Sequence, residues 1–306
     1  VPLFDVASLV VGGVFLLWFV GSLIRQTGGR VRTTARVVVG TWRAVAILYL
    51  LFLVTWGLNY RREPLATRLD YDETRISEPA LVTLARASVG ELNVLGSRAR
   101  SAVLDLAEAD ERLGPPFHRV LEAIGQPRAV PARPKRSLLN FYFRRAAVDG
   151  MTDPYFLETL VRDDLLPFER PFVVAHEWAH LAGFGPESEA SFVGWLTCLQ
   201  GDEAARYSAW LFMYLQTSDD LEDSLREDIE RDLGRIPRED LGELYRQYRR
   251  QVVPAARDAG RAVYDRFLKA NRVESGVASY DEVVRLALGT RYRARHVPDL
   301  KRSDDD

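Results

Sequence analysis

Two of the chain's four histidines lie four residues apart in "VVAHEWAHLAGFGPESEASF" (Val173–Phe192). On a helix, positions i and i+4 are about 40° apart, so His176 and His180 turn both imidazoles the same way. Two neutral imidazole nitrogens at that spacing can share one tetrahedral zinc. Glu177, next to the first histidine, can then take a proton from water that Zn2+ has acidified toward a pKa of about 7. The expected chemistry is hydrolysis, with Glu177 as base. An ordinary amphipathic helix can spell the same five residues, so the flanks must decide.

Upstream, "PFVV" leads into the helix; downstream, Gly183, Gly185 and Pro186 predict a glycine C-cap and a stop. A new apolar pattern begins at once, and a tight helix–turn–helix is what a third ligand needs. A histidine six residues beyond His180 is one known solution, but that position is Pro186. A glutamate on the following helix is the other, and Glu187 and Glu189 both qualify. They lie about 200° apart, so only one can face the metal. Glu189 shares its side with Phe192, Val193 and Leu196, the side expected to turn inward, and is the preferred ligand. Glu187, beside Ala190, Ser191 and Gly194, is the alternative. The "EASF" order starting at Glu189 is also similar to the glutamate helix of thermolysin-like and lethal-factor-like peptidases. An oxyanion partner is sought in Tyr207, on the face of Glu189 but about 27 Å along an unbroken helix. It reaches the site only if the chain turns at Gly201–Asp202.

The elements around this motif are of two kinds. Val6–Ile24 holds 19 residues without a charge, and Thr41–Tyr60 has Arg43 as its only one, enough in each case to cross a bilayer core of about 30 Å. Arg43 can snorkel, and Trp42, Trp56 and Tyr60 stand where interfacial aromatics belong. The connecting "RQTGGRVRTTAR" and Arg43 carry five arginines and no acid. A short basic loop stays cytoplasmic, so everything after Tyr60 is expected outside the cytoplasm. The chain begins at Val1 and not at methionine, which points to further sequence upstream. The motif itself is too interrupted by Glu169, Arg170 and Glu187 to be intramembrane.

The remainder reads as helical from Ser77 to Leu113, broken at Gly114–Pro116 and again at Gln126–Pro134. "FLETLV" (Phe156–Val161) is read either as an edge strand that pairs with a peptide substrate or as a plain structural strand. The run "DDLEDSLREDIERDLGRIPRED" is a solvated helix face. His118 and His296 read as surface histidines, Trp178 as core, and Cys198, the single cysteine, as a small buried side chain that excludes a disulfide framework. With 41 basic and 43 acidic residues, nothing in the charge calls for nucleic acid.

Four ordered blocks resemble one family: "WGLNYRREPLATRL" (Trp56–Leu69), "HEWAHLAGFGPESEASFVGWLTC" (His176–Cys198), "RYSAWL" (Arg206–Leu211) and "YDRFLKANRVESGVASYDEVVRLAL" (Tyr264–Leu288). These are similar to the bacterial membrane proteins grouped as domain of unknown function 3810 and regarded as zinc metallopeptidases. The resemblance implies a zincin-like domain, zinc held by His176, His180 and Glu189, and Glu177 as base. The fold class expected is mainly α, an α+β catalytic domain with a small sheet behind two transmembrane helices. The expected division is a two-helix anchor over 1–60, a helical stalk and proline-rich link over 61–135, a catalytic domain over 136–292 and a polar tail over 293–306. The expected function is a zinc-dependent peptidase tethered to the bacterial cytoplasmic membrane, its catalytic domain extracytoplasmic. Its partners would be a peptide or protein substrate and the lipid bilayer, with no nucleic acid. A catalytically silent, zinc-stabilised envelope scaffold is the alternative, and the presence of Glu177 argues against it.

Overall fold

A computed structural model describes residues 1–25, 29–127, 129–270, 282–293 and 296–301. Two long helices come first, α1 (Leu3–Arg25) and α2 (Arg30–Thr55). Both are long and apolar enough to cross a membrane, and their leucines and valines are largely exposed. The second begins earlier than hydropathy alone suggests and ends at Thr55. Trp56 breaks it, and Tyr60 lies in the 3-10 turn that follows (Gly57–Arg61).

The rest is α-rich, with small sheets. Helix α3 (Glu78–Ser101) is capped by Ser77, whose hydroxyl accepts from the Ala80 N–H. Helix α4 (Ala109–Ala123) runs straight through Pro115 and Pro116, which were expected to break it. Leu113, Phe117, Val120 and Leu121 are fully buried on this helix, and their burial outweighs the hydrogen bonds the prolines forgo. The interruption falls instead at Ala102–Asp105.

Then come β1 (Lys135–Arg136), α5 (Asn140–Ala146), β2 (Gly150–Thr152) and β3 (Thr159–Val161). The sheet order is β1-β3-β2, with β3 parallel to β1 and antiparallel to β2. The "FLETLV" strand is therefore central and buried, not an edge; β2 is the edge beside the motif helix. Helices α6 (Arg170–Leu181), α7 (Glu187–Leu199) and α8 (Glu203–Asp220) follow. After them come α9 (Asp223–Arg231), α10 (Arg235–Gln251), α11 (Pro254–Ala270), α12 (Glu282–Gly289) and the hairpin β4 (Tyr292–Arg293) with β5 (Val297–Pro298).

Helix α7 is the centre, packed by α6, α4, α8 and α12 and buried almost throughout. One continuous core joins Leu92 and Leu95 of α3 and Phe117 of α4 to Trp178 and Trp195. The expected stalk over 61–135 is thus part of the domain itself. The expected tail is docked as far as it is described, with Leu300 bridging Leu69; residues 302–306 lie outside the described residues, as does 271–281 of the last family block. His296 is no surface histidine, for it packs against the rings of Trp195, Trp210 and Tyr292. His118 is part-buried, its Nε2 3.0 Å from the Ala129 carbonyl. Trp178 and Cys198 are buried as expected.

Candidate metal centre

Helix α6 ends as the glycines predict. Gly183 has φ +95°, its N–H donates to His180 O, and the Phe184 N–H donates to Ala179 O, which together form a Schellman turn. The turn brings the Phe184 carbonyl to within 2.7 Å of His180 Nδ1. In that bond Nδ1 keeps its proton and donates it to the carbonyl, which turns Nε2 to the opposite side of the ring, where it can serve as a ligand once deprotonated. On the other ring, Ser191 Oγ lies 3.2 Å from His176 Nδ1. Both rings are thus held from their Nδ1 side and point Nε2 at one place.

The group at that place is Glu187. Its Oε2 lies 3.2 Å from His176 Nε2 and 3.5 Å from His180 Nε2. One donor atom from each of His176, His180 and Glu187 falls within 4.8 Å of the others. Ligands at about 2.0–2.2 Å around a tetrahedral zinc stand about 3.4 Å apart, so this donor set fits that ion. Burial opposes charge on His180, but the Glu187 carboxylate outweighs it and pushes the imidazolium up to about 9. Burial likewise disfavours the Glu187 carboxylate, yet His180 and His176 hold it well below the usual carboxylate range.

Glu189, the preferred third ligand on facial grounds, is turned away. Its Oε1 accepts from the Leu65 N–H at 2.6 Å, and Arg68 and Arg62 supply the nearby positive charge. Helix α7 is buried almost throughout, so it has no outer side against which an inner one could be defined. It is the small-residue side that brings its residues against the motif histidines. A Cβ at Gly194 would stand 3.0 Å from the backbone of His176, so Glu187, Ser191 and Gly194 form the stripe that touches α6. The histidine rings require such a stripe, because only small side chains let two helix backbones come that close.

Glu177 is buried on the same helix turn. The Thr152 hydroxyl of β2 lies 2.8 Å from its Oε2 and from its main-chain oxygen. Burial pushes its carboxyl up, against the lowering pull of the two histidines. A Cβ at Gly150 would fall 2.6 Å from Glu177 Oε1, so β2 and the Glu177 side chain are in direct contact.

Tyr207 is not at the site. The chain does turn between α7 and α8, but the Tyr207 hydroxyl donates to Asp240 Oδ2 at 2.6 Å in the buried interior. Two other tyrosines are. The Tyr264 hydroxyl of α11 donates to Glu187 Oε1, and Tyr60 lies against Gly185 with its phenol pushed up by burial and then by Glu187. Sequence reasoning missed both, together with Ser191 and Thr152. Ser191 was findable, since it is one helical turn beyond Glu187; Tyr264 lies 77 residues away in sequence, and although it opens the fourth family block, no spacing relates it to Glu187. Trp56, read as an interfacial aromatic, also supports the site: its Nε1 donates to His180 O at 3.1 Å.

The model of the family described as Protein of unknown function (DUF3810) matches residues 1–288. No curated protein and no solved structure matches the chain.

Proposed function

The chain belongs to the DUF3810 family, and on that premise we propose that it is a membrane-tethered, zinc-dependent peptidase. One observation carries the reading: two imidazoles and a carboxylate converge at ligand spacing, with a second, buried carboxylate adjacent. A purely structural zinc site closes its fourth position with a protein ligand and needs no such base.

His176, His180 and Glu187 would hold the ion. Zinc, when bound, supplies a Lewis acid that acidifies water and polarises a carbonyl. Glu177 takes the proton from the attacking water and returns it to the departing amine, and burial raises its carboxyl, which favours holding that proton between the two transfers. Thr152 keeps that carboxylate in place from β2. The free side of β2 offers an extended peptide a strand to pair with, directly beside the base. Tyr264 and Ser191 orient Glu187 and His176, the supporting layer such a site needs.

The two apolar helices are read as spans. Both α1's first turn and Trp56, the residue just past the end of α2, touch the domain, so the basic connection lies at the far end of the pair, about 34 Å off by helix rise. That connection stays cytoplasmic by its arginines, which puts the domain outside.

The test is a pair of variants in the purified full chain. His176→Ala should lose bound zinc; Glu177→Gln should keep one zinc per chain and lose hydrolysis of a mixed peptide library. A fully active Glu177→Gln enzyme overturns the base assignment, and metal-free protein after zinc-replete purification overturns the centre.

A further inference from the structure

The β2–β3 connection and the turn leading into α5, with that helix's first turn, present large apolar side chains to the outside: Phe156 is 46% exposed, Leu157 45%, Leu138 57% and Phe141 67%. Scattered apolar residues on a surface are ordinary, but these four occur in two short segments that are fastened to the same place. Glu158 follows Leu157 directly, and its Oε2 accepts from the Phe4 N–H at 3.0 Å, with the Leu3 N–H bonding the same carboxylate. Leu138 donates its own N–H to Asp5 Oδ2 at 2.6 Å, while the Ser137 hydroxyl donates to Asp5 Oδ1. Both segments are therefore pinned to the first turn of α1, where the apolar stretch Leu3–Ser22 begins.

The backbone confirms that the exposure is built in. Leu157 has φ +56°, the left-handed region that a leucine avoids at a cost of order 1 kcal/mol or more. Asp153 holds the connection in that shape, its carboxylate accepting from the Tyr155 and Phe156 N–H groups while its own N–H donates to Glu158 O. The cations match an interface as well: Arg145 lies 3.5 Å over the Phe141 ring, an apolar face under a charged head.

We propose that Phe156, Leu157, Leu138 and Phe141 form a rim seated in the bilayer interface at the end where α1 starts. This rests on reading α1 and α2 as membrane spans, not on the peptidase reading. The hairpin then joins the membrane to the site in one short step, since its Thr152 end touches Glu177 and its Glu158 end touches α1. Trp56, one residue beyond the second apolar stretch, touches His180 from the other side.

The experiment uses the full chain in phosphatidylcholine–phosphatidylglycerol vesicles. Phe156→Cys and Phe141→Cys are spin-labelled one at a time, and label collision with oxygen and with a water-soluble nickel chelate is compared. The buried native Cys198 does not compete. Leu48→Cys on α2 is the hydrocarbon standard, and Arg231→Cys on the solvated α9 is the water standard. The oxygen-to-nickel ratio at both rim positions should fall between the two standards, several-fold above that at Arg231. Rim ratios equal to the Arg231 value overturn the rim while the Leu48 label still reads hydrocarbon. A Leu48 label that reads water overturns the span reading beneath it. Dipolar broadening between copies at the rim labels assigns the patch to self-association and overturns the proposal too.

Discussion

A Cβ on residue 194 would stand 3.0 Å from both the Cα and the N of His176, so Gly194 sets the distance between the motif helix and the glutamate helix. Gly194→Ala must push α6 and α7 apart by a few tenths of an ångström. The expected result is a stability loss of about 1–3 kcal/mol, as for other overpacked cores, and weaker zinc binding through displacement of Glu187 and Ser191. Denaturant unfolding and a zinc competition titration check the two effects. Unchanged zinc affinity in a folded variant would show that the close approach does not position the ligands.

The two glutamates of α7 separate cleanly. Glu187→Ala should lower zinc affinity by orders of magnitude, because two histidines alone do not close a site. Glu189→Ala should leave zinc affinity nearly intact but cost stability, since it orphans the Leu65 N–H and leaves Arg68 without its carboxylate neighbour. Metal titration of both variants in parallel decides which carboxylate is the ligand.

Glu169, at the start of α6, gives the fold a pH signature of its own. Burial and then the Asp149 charge push its carboxyl up to about 8. A group whose folded value is raised stabilises the fold in its protonated form. That stabilisation is complete below the ordinary carboxylate value and is lost as pH rises toward 8. Glu169→Gln keeps an oxygen to accept from the Leu166 N–H and cannot titrate. Relative to the parent, it should therefore gain stability between pH 5 and pH 8 in chemical denaturation. Parallel stability curves would mean that Glu169 is ionised throughout.

If the site is a peptidase held at the membrane surface, its substrate supply is two-dimensional. A peptide carrying a lipid anchor in the same vesicles should be cut at least ten-fold faster than the identical soluble peptide at equal bulk concentration, through effective concentration alone. Phe156→Ser should narrow that ratio without changing cleavage of the soluble peptide. Equal rates for both peptides would place the active site away from the bilayer.

Much of this molecule is written in short-range pattern. The His176–His180 spacing, the glutamate between them, the Gly183 stop and the two apolar helices all follow from periods of 3.6 residues and from the rules for helix ends. The identity of the third ligand does not. Glu187 and Glu189 are equally near in sequence, and the choice depends on which side of α7 meets α6. Gly194 and Ser191 decide it by being small, a packing property that hydrophobic pattern ranks as the weaker face. The same holds for Tyr264, which reaches Glu187 from another helix, and for Asp5 and Glu158, which fasten a distant hairpin to α1. Local periodicity sets what each helix can offer, but which side chains meet is settled only when helices far apart in sequence close on one another.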